Sequence, residues 1–221
     1  MQRLNQLQVA TSICEEVSNE RGIALVFDFD GVIADTERFH KIAYEKLLHF
    51  HGVDTRHFDF SKYMGHSEPE IYKMINNEFR KQLSIKEDKP RRISIFLDYI
   101  KKKKLRPFPF VRYLLKECDA PFYILSSQDI DLITYLLSTW KILDVFEDIF
   151  VPARFEKSKS ALVQELPTLT NTSPQKLVHF EDSAGIVVLS RGLGHRTVFV
   201  RHHLNKDIAV EADWEIETWE M

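Results

Sequence analysis

Ile23 to Phe27 is an unbroken apolar run, and it is followed at once by Asp28-Phe29-Asp30-Gly31. A short apolar run without alternation fits a strand covered on both faces, as in a parallel sheet with helices packed on either side. Sheets of that kind bind their ligands at the carboxyl ends of the strands. Asp28 and Asp30 stand at that end, and the two-residue period of a strand sends their side chains out on the same face. Two carboxylates held so close need a cation, a shared proton, or both. Gly31 then turns the chain, so the segment points to an α/β fold with its site at one edge of the sheet.

The rest of the chain alternates in the way such a sheet requires. Past Thr36 the texture is helical: Ile42, Leu47 and Leu48, then Ile71, Met74 and Ile75, then Ile93, Phe96, Leu97 and Ile100 recur among charged residues with no long strand between them. Strand-like runs return at Phe122–Leu125, Ile149–Val151, Leu177–Phe180, Thr197–Val200 and Trp214–Ile216, separated by helical patterns such as Leu132 to Trp140 and Ala161 to Leu166. The pattern predicts a Rossmann-like parallel core over residues 21–36 and 107–221, interrupted by an α-helical cap over 37–106. Residues 1–20 form an N-terminal extension in which Leu4, Leu7, Ile13 and Val17 loosely fit a short amphipathic helix.

Composition narrows the function classes. A chain of 221 residues holds one sizeable domain or a domain with an insert. Its net charge of −3 offers no global basic field, so no nucleic-acid partner is expected. No apolar run approaches the ~20 residues that span a bilayer, and the first twenty residues lack the pattern of a secretory signal, so no membrane partner is expected either. Cys14 and Cys118 are the only cysteines, too few for a disulfide framework or a zinc cluster, and they read as inert thiols of a reducing, cytoplasmic compartment. The chain is expected to be a monomer. His49, His57, His179 and His195 show no metal-ligand spacing and read as ordinary histidines. The basic segments Arg80-Lys81, Arg91-Arg92 and Lys101 to Lys104 read as solvated helix faces.

Two further strand ends carry polar residues. Phe122–Leu125 runs into Ser126-Ser127-Gln128, which brings a hydroxyl and fresh backbone N–H groups to the edge where Asp28 lies and could hold a phosphoryl group. Taken alone, a serine pair turning into a helix at Asp129 is the commoner meaning. Leu177–Phe180 ends in Glu181-Asp182-Ser183, and acids after an apolar strand are costly unless water, a cation or a helix N-terminus takes them up.

This set of motifs resembles the haloacid dehalogenase-like hydrolases, in the helical-cap branch of beta-phosphoglucomutase and phosphoglycolate phosphatase. The first motif of that superfamily is Asp-x-Asp-Gly, often continuing to Asp-Thr-Glu, as Asp28 to Gly31 and Asp35-Thr36-Glu37 do here. The fourth is an acidic pair resembled by Glu181-Asp182-Ser183, with Gly185 one residue earlier than in the common form. The third is a lysine, Lys157 or Lys159. Counting from Phe146-Glu147-Asp148-Ile149 selects Lys159, although Ser160 stands where proline is common. Pro107-Phe108-Pro109 resembles the return from cap to core, with Phe110 where glycine is frequent.

The resemblance implies a Mg²⁺-dependent phosphatase that hydrolyses a small phosphorylated metabolite through an aspartyl-phosphate. Asp28 would be the nucleophile and Asp30 the proton donor and acceptor. Mg²⁺ would be held by Asp28, the Asp30 main-chain carbonyl and Asp182, with Glu181 as a direct or water-mediated partner. Ser126, Lys159 and the N–H groups of Gly31 and Ser127 would cradle the phosphoryl oxygens. Thr36 and His40 match positions used by the beta-phosphoglucomutase branch, so a phosphosugar mutase is the near rival. Against it, Glu68 in Gly65-His66-Ser67-Glu68 stands where that branch has a phosphate-binding arginine, and an acid would repel a second phosphate. A dehalogenase is disfavoured because it lacks the second aspartate. A catalytically idle binding protein on the same fold is the alternative of another class, and retention of all four motifs argues against it.

Overall fold

The run after Gly22 is a strand, β1 (Ala24–Phe27), with all four residues buried. The computed structural model describes residues 5–64 and 66–218. In it, β1 is joined by β2 (Phe122–Leu125), β3 (Phe146–Phe150), β4 (Leu177–Glu181), β5 (Arg196–Arg201) and β6 (Trp214–Glu217). The sheet order is β3-β2-β1-β4-β5-β6, every pairing parallel. β2 and β4 flank β1, so the crossovers leave it in opposite directions. That is the switch point beside which an open α/β sheet leaves a crevice.

Helix α1 (Gln6–Asn19) precedes the sheet, while α2 (Glu37–Phe50), α3 (Glu68–Phe79) and α4 (Ile85–Lys103) follow β1 without an intervening strand. The crossovers are α5 (Pro109–Glu117), α6 (Ile130–Trp140), the single turn α7 (Pro152–Phe155), α8 (Lys159–Leu169) and α9 (Ala184–Gly192). By compactness the chain forms two units, one of Met1–Ala34 with Pro107–Met221 and one of Asp35–Arg106. No helix among the described residues is long and apolar enough to cross a membrane.

The strand period of two divides the core of the sheet unit. Ala24 and Val26 pack with Leu125, Phe150 and the α8 residues Leu162 and Leu166. Phe27 points the other way and stacks on Phe180 at 4.3 Å, and Phe110 of α5 lies parallel to Phe180 at 6.3 Å. A ring at position 110 thus fills core, where glycine would leave a void. Burying a side chain of that size contributes about 1.5–3 kcal/mol.

The N-terminal helix differs from its sequence reading in two respects. Its buried face is Val9, Ala10, Ile13, Cys14 and Val17, whereas Leu7 is exposed and Leu4 lies outside the described residues. Cys14 and Cys118 are not free thiols: they form a disulfide that ties α1 to the residue capping α5, with Cα atoms 5.1 Å apart. Their separation of 104 residues carries no spacing signal, and only the packing of α1 on α5 brings them together. The argument from free thiols to a reducing compartment falls with this pairing. Arg196 adds a polar tie by reaching Glu16 at 2.9 Å and Glu20 at 3.0 Å.

The helical unit has its own core, in which Tyr44, Leu47, Phe58, Tyr63, Tyr72 and Ile75 take part. His51 joins α2 to α4 through Asp88 at 2.7 Å. Arg92 is not on a solvated face. It is 3 % exposed and pairs with Glu68 at 2.5 Å, and its guanidinium, which can only donate, bonds His40 Nδ1 at 3.2 Å. Its neighbour Arg91 lies over the Phe50 ring at 3.7 Å. Lys101 to Lys104 are exposed, as expected.

Candidate active site

Parallel register assembles the acids. Phe27 pairs with Phe180, so Asp28 and Glu181 are the next residues on neighbouring strands, and the Asp28 N–H donates to the Phe180 carbonyl at 2.9 Å. Lys159, the first residue of α8, lies 2.7 Å from Asp28 Oδ2 and 2.8 Å from Glu181 Oε2. Lys157 instead faces Glu165 on the surface at 2.6 Å. Of the two lysines left open by the sequence, only Lys159 reaches the carboxylates.

Asp28, Glu181 and Asp182 each present a carboxylate oxygen within 4.8 Å of the others, all three buried. Burial, then repulsion from Glu181, pushes the Asp28 carboxyl up to about 7, against the pull of Lys159. Burial likewise raises Glu181. Burial disfavours the Lys159 ammonium, but Asp28 and Glu181 outweigh it and hold the lysine charged. One lysine does not offset the burial and repulsion that raise Asp28 and Glu181. An all-oxygen donor set short of positive charge suits a hard divalent cation such as Mg²⁺.

The other expected residues are placed as follows. Asp30 is half-buried, its Oδ2 accepts from Gln128 Nε2 at 2.9 Å, and its carboxylate lies outside the three-acid cluster. Ser126 is buried at the end of β2, and its Oγ accepts from the Gln128 N–H at 3.2 Å. Ser127 is exposed. The Gly31 N–H, expected as a phosphate donor, is taken by the Ala34 carbonyl at 3.0 Å. What Gly31 supplies is a left-handed φ of +72° and space, since a Cβ there would stand 2.6 Å from Asp182 Oδ2. Thr36 and His40 are buried in the helical unit, His40 stacked on Phe96 at 4.1 Å.

Two parts of the sequence reading need correction or addition. Glu68 is countered by Arg92 at 2.5 Å and Lys89 at 2.9 Å, so its charge no longer argues against a second phosphate. The residues that hold the site acids were missed. Gln128 ties Asp30, while His202 and Asn205 tie Asp182. The signal there was weaker than at Asp28, since the charged Arg201 separates the apolar run ending at Val200 from His202-His203.

A family model described as haloacid dehalogenase-like hydrolase matches residues 25–200. Among solved structures, CbbY from Rhodobacter sphaeroides, solved with phosphate, aligns with a TM-score of 0.74 at 17 % identity over 89 % of this chain and 94 % of its own. A mutant of the same protein has been solved with xylulose-(1,5)bisphosphate. Beta-phosphoglucomutase from Clostridium difficile aligns with a TM-score of 0.66 at 21 % identity, over 90 % and 92 % of the two chains. A predicted phosphoglycolate phosphatase from Haemophilus somnus 129pt gives 0.69 at 15 % identity, over 87 % and 92 %. No curated protein matches. The structures establish the fold, and the family model, spanning more than half of the chain with Asp28, Asp30, Glu181 and Asp182, establishes membership: this chain belongs to the haloacid dehalogenase-like hydrolases.

Proposed function

We propose that the chain is a Mg²⁺-dependent phosphatase acting on a small phosphorylated metabolite. The observation that carries this is Lys159 Nζ set between Asp28 and Glu181 at 2.7 and 2.8 Å, beside Asp182. A cation and a lysine at one strand end are what a dianionic phosphoryl group needs, since uncatalysed phosphate monoester hydrolysis is among the slowest of reactions. The phosphate and the sugar bisphosphate held by CbbY support an anionic phosphoester as the ligand class.

Asp28 attacks phosphorus, forming a P–O bond to its carboxylate as the ester P–O bond breaks, and Asp30 gives its proton to the leaving oxygen. Asp30 then takes a proton from the water that attacks the aspartyl-phosphate, which releases inorganic phosphate and frees Asp28. Gln128 holds the Asp30 carboxylate for both transfers. Lys159 with the Ser126 hydroxyl stabilises the phosphoryl oxygens. Mg²⁺, held by Asp28 and Asp182 with Glu181 alongside, offsets phosphoryl charge when bound. Thr36 and His40 are assigned to the substrate. Release of p-nitrophenol from p-nitrophenyl phosphate, dependent on Mg²⁺ and abolished in Asp28→Asn, tests the reading. No turnover over a wide panel of phosphorylated metabolites would refute it.

The neutralised Glu68 favours keeping a phosphosugar mutase as the second reading. The two separate on product: a mutase returns an isomeric sugar phosphate, a phosphatase returns free phosphate.

A further inference from the structure

Asp182 is held from two sides by residues that follow β5. His202, 2 % exposed, meets Asp182 Oδ2 through Nε2 at 2.8 Å, and Asn205 Nδ2 donates to the Asp182 carbonyl at 2.9 Å. The ring's tautomer follows from its other nitrogen. Nδ1 accepts the Leu204 backbone N–H at 3.2 Å, so it carries no proton, and the proton sits on Nε2 and is donated to the carboxylate. Asn205 fixes the loop itself by accepting the His202 N–H at 2.7 Å and donating to the Val200 carbonyl at 3.0 Å. Gly31 leaves room for this pair, because a Cβ there would lie 3.1 Å from His202 Nε2.

We propose that His202 is a positioning residue for the divalent cation: its Nε2–H occupies Oδ2 of Asp182 and thereby presents Oδ1 to the metal. Oδ1 has no hydrogen-bond donor among the described residues, whereas Asp28 is already bonded by Phe29 N–H and Lys159, and Glu181 by Lys159 and the N–H groups of Asp182 and Ser183. Asp182 is therefore the acid with an oxygen that no donor among the described residues engages, and the imidazole decides which one. A partner of this kind fixes carboxylate orientation and raises metal affinity, typically by 10–100-fold. The inference rests on the phosphatase reading only for the identity of the cation site.

The test is direct binding of Mn²⁺ alone, followed by electron paramagnetic resonance, to wild type, His202→Asn and His202→Gln. Asparagine places an acceptor where Nδ1 was but cannot reach Asp182, whereas glutamine keeps a donor at the Nε2 position. We expect about 10–100-fold weaker Mn²⁺ binding for His202→Asn and binding within about threefold of wild type for His202→Gln. Wild-type affinity in His202→Asn, or equal losses in both variants, would overturn the inference. Long-range ¹H–¹⁵N correlation on the wild type, which needs no variant to fold, should show a neutral ring protonated at Nε2, and protonation at Nδ1 alone would also overturn it. Absence of Mn²⁺ binding in the wild type would instead refute the cation site, and with it both this inference and the Mg²⁺-dependent reading. Wild-type binding of Mn²⁺ without phosphatase activity would refute only the reaction.

Discussion

Asparagine at position 28 has the size of aspartate but is neither a nucleophile nor an anionic metal ligand. Asp28→Asn should keep the fold and lose at least about 10³-fold in kcat, read by p-nitrophenyl phosphate turnover and checked by circular dichroism. The two lysines give a sharper contrast, because they differ by two positions and by what they touch. Lys159→Ala should lose at least about 10²-fold in rate, whereas Lys157→Ala, which breaks only an exposed pair with Glu165, should stay within about twofold. A dead Lys157 variant with an active Lys159 variant would reverse that assignment. At Gly31 two effects act together, a left-handed φ and a Cβ 2.6 Å from Asp182 Oδ2. Gly31→Ala should therefore lower both thermal stability and Mn²⁺ affinity, and a variant that loses neither would show that the turn relaxes.

At the scale of elements, the N-terminal helix is held by more than its apolar stripe. Val9, Ile13 and Val17 bury against the body, Arg196 ties Glu16 and Glu20, and the Cys14–Cys118 disulfide closes a loop of 104 residues. Removing a native disulfide typically costs ~2–5 kcal/mol, because a long loop in the unfolded chain regains its freedom. Cys14→Ser, or reduction of the wild type, should lower the midpoint of thermal unfolding by several degrees while leaving kcat close to wild type, since neither cysteine touches the acids. Equal midpoints with and without reductant would show that the bridge adds nothing to stability. Within the helical unit, α3 and α4 are joined through Glu68, which meets Arg92 and Lys89 on the facing helix. A side chain that reads in sequence as a free acid is here one member of a charged group.

For the whole molecule, the raised carboxyl of Asp28 links metal, proton and stability. Its ordinary value is 3.8 and its folded value about 7, so between these the folded state takes up a proton that the unfolded state has lost. The stabilising contribution of this group is complete below about pH 4, declines as pH rises, and is gone above about 7. A divalent cation competes with that proton. Mg²⁺ affinity should therefore rise by up to about tenfold per pH unit as pH approaches 7 and level off above it. At pH 7.5, Mg²⁺ at one hundred times its Kd should add about 2.7 kcal/mol of stability, seen as an upward shift of the unfolding midpoint. A pH-independent Mg²⁺ affinity between pH 5.5 and 7.5 would mean that Asp28 does not hold the proton.

What the chain declared by itself were the features that recur at short range. An apolar run without alternation marked β1, and acids or hydroxyls placed directly after such runs marked Asp28, Ser126, Glu181 and Asp182, because a parallel sheet gathers its strand ends on one edge. Lys159 was preferred over Lys157 only through the spacing of the family it resembles, and the fold shows which of the two reaches the acids. What needed the fold were contacts between residues far apart in the chain whose chemistry is ordinary alone. Cys14 meets Cys118 only because α1 packs on α5, and Arg92 is buried only because α4 turns it toward Glu68 and His40. His202 reaches Asp182 only because β5 lies beside β4 in parallel register, which brings the loop after one strand against the end of the other. Local periodicity dictates which edge becomes the site, and long-range packing decides which side chains hold its acids in place.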